Sequence, residues 1–113
     1  MIKNKVVLVP FPFDDFTNIK VRPALCLSNT VGRCEHVVIA FISSRMPEEL
    51  LQTDLVIRKE TSEFATIGLA VDSVIRIHKL VTIPKILIKR ELGSISTFLQ
   101  NEIQQRIDKL FKP

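Results

Sequence analysis

The sequence has no tryptophan and no tyrosine, and it contains only three glycines and two cysteines among 113 residues. Three isolated glycines do not make the glycine-rich phosphate loop of nucleotide-binding proteins. The Gly-x-Ser-x-Gly and His-Glu-x-x-His motifs of serine hydrolases and zinc proteases are also missing. The two cysteines form neither a Cys-x-x-Cys pair nor a disulfide framework, so we expect both to be reduced. We therefore expect chemistry without a metal ion or a cofactor.

Long apolar segments are missing as well. No stretch approaches the roughly 18 apolar residues that span a bilayer. The N-terminal apolar run is broken by Pro10 and Pro12 and lacks the cleavage site of a signal peptide. The sequence is 46% hydrophobic and 25% charged, which is typical of a globular protein. We expect a cytoplasmic protein without a membrane partner, folded as one domain over residues 1–113.

The net charge of +4 is unevenly distributed. Residues 1–56 carry six Lys or Arg and six Asp or Glu, so the whole excess lies after residue 56. Residues 76–90 hold five basic side chains and no acidic one. This pattern fits a polyanionic partner, and it equally fits basic side chains that solubilise exposed strand faces.

Short β-branched runs predict a mainly β protein of antiparallel strands. The predicted strands are residues 6–9, 24–27, 36–43, 53–58, 72–80 and 84–92. We expect the first strand to stop near Val9, before Pro10 and Pro12, because proline cannot donate to a central ladder. A long loop then follows over residues 11–20, in the manner of a flap. The run HVVIAFIS is apolar on both faces and predicts a central strand.

Three further segments connect or close this sheet. A short helical turn is predicted for residues 44–52. The pattern of residues 62–72 does not distinguish a helix from a strand, and Gly93 predicts a turn. After it, Ser96 is a natural N-cap. The apolar residues then recur at helical spacing, which predicts a C-terminal helix of roughly four turns packed on the sheet: Leu99, Ile103, Ile107 and Leu110.

Cationic and hydroxylic side chains at strand ends are the candidates for chemistry. Arg22 precedes Pro23, which favours an extended backbone, and its planar guanidinium suits a phosphate. An ion pair with Asp14 or Asp15 of the preceding loop is the alternative. Ser43 can donate to a phosphate oxygen or cap the turn after its strand.

The later strand offers a second pair of polar groups. Alternation places Arg76 and His78 on one face of residues 72–80. An imidazole can accept a proton, so His78 is a candidate general base, although a lone histidine in a strand often serves packing.

Four short motifs, in this order and spacing, resemble the PemK/MazF family of bacterial toxin–antitoxin toxins. They are Arg22-Pro23-Ala24-Leu25, Ile42-Ser43-Ser44, Asp72-Ser73-Val74 and Leu92-Gly93. The resemblance implies a small, half-open SH3-like β-barrel of the CcdB/MazF type with a C-terminal helix. It also implies a homodimer, a cognate antitoxin partner, and metal-independent endoribonuclease activity on single-stranded RNA, usually mRNA.

The resemblance also implies roles for individual residues. The family's catalytic arginine falls on Arg22, and its threonine or serine at the end of the third strand falls on Ser43. An arginine and an acidic residue of the later strand, used by some members, align with Arg76 and His78. The histidine departs from the family pattern, as does the loop DDFTNIK, so the base and the cleaved RNA motif do not carry over.

The remaining candidates would bind RNA, because cations follow its backbone and aromatic rings stack on its bases. This set consists of Phe11, Phe13, Asp15, Lys20, Ser44, Arg45 and Lys79. For Phe11 and Phe13 the alternative, a place in the core, is favoured over stacking on a base. Two other functions compete on the same fold: inhibition of a topoisomerase through the terminal helix, and nucleic-acid binding without turnover.

Overall fold

The computed structural model describes residues 1–11 and 20–112, apart from the side chain of Phe11. Within them, the elements in chain order are β1 (Lys5–Phe11), β2 (Lys20–Cys26), β3 (His36–Ser43), β4 (Asp54–Ile57), α1 (Phe64–Ile67), β5 (Ser73–Pro84), a 3-10 turn (Lys85–Leu87), β6 (Arg90–Ser94) and α2 (Thr97–Phe111). The strands pair antiparallel in the order β4-β5-β3-β2-β1-β6. The predicted fold class is confirmed: a mainly β half-barrel with a C-terminal helix.

Both faces of this sheet bury apolar side chains, because successive residues of a strand point to opposite faces. One face, called the helix face, packs against Leu99 and Ile103 of α2. Its strand residues include Val6, Leu25, Ala40, Ile42, Leu55, Ile57, Ile75 and Ile77. The other, called the opposite face, is formed by Val7, Val9, Ala24, Cys26, Val37, Ile39 and Ile83. The central position of β3 between β5 and β2 explains why HVVIAFIS is apolar on both sides.

A large irregularity bends β5 in its middle. Ile42 of β3 lies opposite Ile75, whereas Ala40 lies opposite Leu80. Phe41 therefore faces the four residues 76–79 of β5 instead of one. Such a bulge bends and twists its strand. β3 pairs with β5 on both sides of the bulge, whereas β4 pairs only with residues 73–76 of β5.

The half-barrel is closed on one side by a contact between α1 and β6. Two glycines allow this contact. A Cβ on Gly93 would overlap the backbone of Thr66 and Ile67, and a Cβ on Gly68 would overlap the backbone of Leu92. Gly68 also has a φ of +80°, which L side chains rarely adopt.

The first two strands are longer than predicted, and both contain proline. β1 continues to Phe11, with Pro10 opposite Val21, so the predicted end near Val9 is wrong. The Leu8 carbonyl accepts a hydrogen bond from Lys89 N (2.8 Å), so the backbone of Leu8 faces the side of β6. The backbone nitrogen of Pro10, two residues later, faces the same side, at a position where β6 no longer pairs with β1. Its missing N–H is therefore not needed.

Pro23 follows the same rule in β2. This strand begins at Lys20 and not at residue 24, but its pairing with β3 starts only at Ala24. The backbone nitrogen of Pro23 faces β3 at a position before that pairing begins. Its missing N–H therefore removes no hydrogen bond between the two strands.

Two predictions for the connecting segments are wrong. Residues 44–52 form bends and turns without a helix. Gly93 lies inside β6, at the register shift where Val6 pairs with Gly93 and Val7 with Glu91, and it does not form a turn. Isolated glycines in strands often mark such bulges.

The C-terminal helix is confirmed. α2 follows Ser96, whose Oγ accepts a hydrogen bond from Leu99 N at 3.2 Å. In the part of the chain that the structure describes, none of the helices combines the length and apolarity needed to cross a bilayer.

Candidate active site

Arg22 and Ser43 lie on neighbouring strands and on the same face of the sheet. Ala24 of β2 is directly opposite Phe41 of β3, and both pack with the opposite face. Arg22 is two residues before Ala24, and Ser43 is two residues after Phe41. Because the strands are antiparallel, Arg22 and Ser43 lie on the same side of this pair, and a step of two residues keeps each on the same face of the sheet. Arg22 is exposed, and Ser43 is half-buried.

The surroundings of Arg22 decide what its charge can do. Within residues 1–11 and 20–112, no ion pair or hydrogen bond engages its side chain. The alternative partners, Asp14 and Asp15, lie outside the described residues. Its position inside β2 means that a rigid strand, rather than a loop, carries the guanidinium.

The Ser43 hydroxyl forms the turn hydrogen bonds that its position at a strand end predicts. Its Oγ accepts from Arg45 N at 3.0 Å and donates to the Arg45 carbonyl at 3.2 Å. Both contacts are exposed, and either can be exchanged for a hydrogen bond to a ligand. Ser43 thus caps the turn, and its hydroxyl stands on the same face as Arg22.

Arg76 is held by a carboxylate that no sequence motif marks. Its Nε lies 2.6 Å from Oδ1 of Asp54, directly opposite it on β4. The Asp54 side chain is 0% exposed, and that of Arg76 is 18% exposed. A buried charge needs a partner, so each group neutralises the other.

His78 points toward the same carboxylate without reaching it. Its Nδ1 lies 3.8 Å from Asp54 Oδ1, which is too long for a hydrogen bond. Among the described residues, this Nδ1 is the one buried side-chain nitrogen or oxygen without a hydrogen-bond partner. The side chain as a whole is 29% exposed, and Nε2 makes no hydrogen bond to the described chain, so Nε2 lies at the open edge of the ring.

Asp54 is also anchored from two other directions. Its Oδ2 accepts from Leu51 N (2.9 Å), and its carbonyl oxygen accepts from Arg106 Nε of α2 (3.0 Å). Arg106 in turn contacts Glu102 Oε1 at 3.1 Å. The signal for Asp54 in the sequence is weak, because an aspartate before an apolar run usually marks a turn. Only the register of β4 and β5 reveals it opposite Arg76.

The other predicted RNA-binding residues that the structure describes lie at the start of β2, just after β3 and in the bulge of β5. Lys20 is exposed at the start of β2, opposite Phe11, whose side chain is not described. Ser44 and Arg45 are exposed just after β3, and Lys79 is exposed in the bulge of β5. The predictions for Phe13 and Asp15 lie outside the described residues.

An open groove of about 790 Å³ begins one residue after Ser43. It is lined by Ser44, Lys59, Glu60, Val71 and Asp72. The Asp72 carboxylate accepts from Lys59 N and lies 3.9 Å from Arg58 Nη1, so its charge is partly compensated. In the described ranges, no three His, Cys, Asp or Glu residues cluster closely enough to hold a metal ion.

Comparison with known proteins identifies the family. Residues 3–111 match the model of a family described as the PemK-like, MazF-like toxin of type II toxin–antitoxin systems. A search of curated proteins found no match.

Solved structures share the fold at low sequence identity. The Mycobacterium tuberculosis toxin MazF-mt6 is 21% identical with a TM-score of 0.71, and the match covers 95% of each chain. An endoribonuclease from a mycobacterial species, solved in complex with its cognate antitoxin, is 16% identical with a TM-score of 0.72, over 100% of this chain and 97% of the other. A second mycobacterial endoribonuclease is 14% identical with a TM-score of 0.67, over 98% and 90%. Since the family match spans nearly the whole chain, this protein belongs to the PemK-like, MazF-like toxins of type II toxin–antitoxin systems.

Proposed function

We propose that this toxin is an endoribonuclease that cleaves single-stranded RNA by attack of the RNA's own 2′-hydroxyl, without a metal ion. The observation that carries the proposal is the position of Arg22 and Ser43 on neighbouring strands and one face, two residues beyond the Ala24–Phe41 pair. Two of the structural neighbours named above are endoribonucleases, which supports the same reaction class.

The substrate supplies its own nucleophile, so the enzyme needs only a proton acceptor and positive charge at the phosphate. The 2′-oxygen bonds to phosphorus while its proton passes to a base. The bond from phosphorus to the 5′-oxygen then breaks, and the 5′-oxygen takes a proton from water. The products are a 2′,3′-cyclic phosphate and a 5′-hydroxyl.

In this reaction, Arg22 stabilises the charge that develops on the nonbridging oxygens. An arginine side chain is a permanent cation and offers two parallel donors to a phosphate. Ser43 Oγ holds one of these oxygens after exchanging its bond to the Arg45 carbonyl. His78, whose Nε2 is open to solvent, is the proton acceptor. Arg76 supports that histidine through Asp54 rather than contacting the phosphate, because its charge is already neutralised.

The partners follow from the same surface. Lys20, Arg45 and Lys79 are exposed cations and, in this proposal, would follow the RNA backbone. The chain would also bind a cognate antitoxin, as one structural neighbour does. A homodimer completes the proposal, because exposed apolar side chains such as Val31 and Ile86 remain on the single chain.

The test is cleavage of a fluorescent single-stranded RNA in EDTA. Wild type is expected to cut, and Arg22→Ala is expected to lose at least about 100-fold in rate while staying folded. Arg33→Ala, which removes an exposed arginine from the turn after β2, is the matched control and keeps full activity. RNA binding without cleavage would favour the non-catalytic barrel, and neither binding nor cleavage would favour the topoisomerase inhibitor. Full activity of Arg22→Ala would refute the role of Arg22.

A further inference from the structure

The Asp54 carboxylate is held by contacts to both of its oxygens. Its Oδ1 contacts Arg76 Nε at 2.6 Å, and its Oδ2 accepts from Leu51 N at 2.9 Å. Its own backbone carbonyl is held by Arg106 of α2. A completely buried carboxylate with these contacts cannot turn toward solvent, so any further partner has to approach it.

His78 is the group placed to approach. Its buried Nδ1 has no hydrogen-bond partner in the described chain, and Asp54 Oδ1 is 3.8 Å away. A carboxylate oxygen has two lone pairs, so the contact with Arg76 leaves room for one more donor. A movement of the ring by about 1 Å would close the gap to an ordinary hydrogen bond.

The chemistry of a histidine base gives this contact a purpose. A neutral imidazole carries one proton, and the nitrogen that carries it cannot accept another. For Nε2 to take a proton from the RNA, the ring must hold its own proton on Nδ1. A carboxylate beside Nδ1 favours that tautomer, and catalytic hydrogen bonds of this kind are often long in the free enzyme and shorten with substrate.

We propose that Asp54 is a positioning residue, which holds the proton of His78 on Nδ1 and keeps Nε2 free to accept the proton of the 2′-hydroxyl. This inference rests on the proposed ribonuclease function for its purpose, but the Asp54–His78 pairing itself can be tested on the free protein. Arg76 and α2 are then parts of the support of the base, because both hold Asp54 in place.

The first experiment measures the tautomer of His78 by nitrogen-15 NMR of histidine-labelled protein without RNA, at a pH where the ring is neutral. Wild type is expected to carry the proton on Nδ1. Asp54→Asn, which keeps the size of the side chain and removes its charge, is expected to shift the ring toward the Nε2-protonated form. The chain's other histidine, His36 at the start of β3, is the internal control and should not change.

Each outcome of this experiment decides the pairing. An Nε2-protonated His78 in wild type, or the same tautomer in both proteins, would overturn the proposal. If Asp54→Asn does not fold, the wild-type tautomer alone decides. If wild type has the expected tautomer but cleaves no RNA, the ribonuclease proposal fails while the pairing stands.

The second experiment separates positioning from structural support by kinetics. Asp54→Asn is expected to lower kcat at least about tenfold with KM within about twofold, because the base and not substrate binding is affected. The double variant of Asp54→Asn and His78→Gln should lower kcat no more than His78→Gln alone. His78→Asn keeps a donor near the Nδ1 position and should keep stability while losing cleavage. Cleavage by His78→Asn at the wild-type rate would exclude the base and with it the role of Asp54.

Discussion

Asp54 and Arg76 face each other across β4 and β5, and a 2.6 Å contact joins Arg76 Nε to Asp54 Oδ1. The carboxylate has no exposed surface while the guanidinium, itself 18% exposed, lies against it. Loss of one member of such a pair leaves an uncompensated buried charge. The contact therefore contributes both to the stability of the fold and to the geometry of the candidate site.

Replacement of Arg76 by alanine is expected to lower the free energy of unfolding by about 3 kcal/mol or more, because Asp54 would stay buried without its partner. Urea unfolding followed by circular dichroism measures the change. Lys79→Ala removes an exposed cation three residues along the same strand and should cost less than about 0.5 kcal/mol. Equal losses in the two variants would contradict the importance of the pair.

Ser43→Ala separates the two roles of the serine hydroxyl. The turn bonds to Arg45 are exposed, so the free energy of unfolding should fall by no more than about 1 kcal/mol. The rate of RNA cleavage should fall at least about tenfold, because a donor to the developing negative charge is lost. Ser43→Thr keeps the hydroxyl and should restore most of the rate.

A matched control for Ser43 is Thr61→Ala. The Thr61 hydroxyl also donates to a turn carbonyl, that of Arg58 at 2.8 Å, but it lies outside the proposed site. It should lose similar stability and no cleavage rate. If Ser43→Ala behaves in the same way, Ser43 is a turn cap only.

The sequence predicted those elements that residues close together in the chain determine. The alternation of residues 72–80 follows from the period of a strand, and the structure places Ile75 and Ile77 on the helix face with Arg76 turned away. Ser96 and the spacing of the apolar residues after it predicted α2, because capping and helical periodicity act within a few residues.

The features that the sequence did not predict depend on partners far along the chain. Whether Pro10 can stand in a strand depends on which neighbour its missing N–H would face, and β6 lies about 80 residues later in the sequence. Asp54 becomes a site residue only because the register places it opposite Arg76. The bulge at residues 76–79 is likewise defined by the register of β5 against β3, a distant part of the chain, so no local motif marks it.

Because α1 and β6 pack closely where they close the half-barrel, one added methyl group at Gly68 should strongly lower the free energy of unfolding. Gly68→Ala would place a Cβ against the backbone of Leu92 and would also strain a φ of +80°, so a loss of about 2–4 kcal/mol is expected. Gly32 has a φ of +76° with open space around it, so Gly32→Ala should show the backbone strain alone, about 1 kcal/mol. Urea unfolding of both variants isolates the steric part, and similar losses would contradict close packing at Gly68.

The two cysteines should differ sharply in their reaction with thiol reagents. Cys26 is buried and Cys34 is exposed. Burial, and secondarily the Glu91 carboxylate, raises the pKa of the Cys26 thiol from 9.0 to about 11. One thiol per chain should therefore react quickly with a disulfide reagent at pH 8, and the second only after unfolding. Cys34→Ser should remove the fast phase, and a remaining fast phase would contradict the burial of Cys26.

The same raised pKa predicts a loss of stability at high pH. Because the folded state keeps the Cys26 proton more tightly than the unfolded state, this contribution is complete below about pH 9 and is lost as the pH rises through about 11. The loss should amount to about 3 kcal/mol, since each pKa unit corresponds to about 1.4 kcal/mol. Lysines also titrate there, so the measurement is the difference between wild type and Cys26→Ala in urea unfolding from pH 8 to pH 11. The alanine variant should start less stable, because it leaves a cavity, and should lose less stability with rising pH. Parallel curves for the two proteins would show that the Cys26 thiol ionises as easily in the folded state as in the unfolded chain.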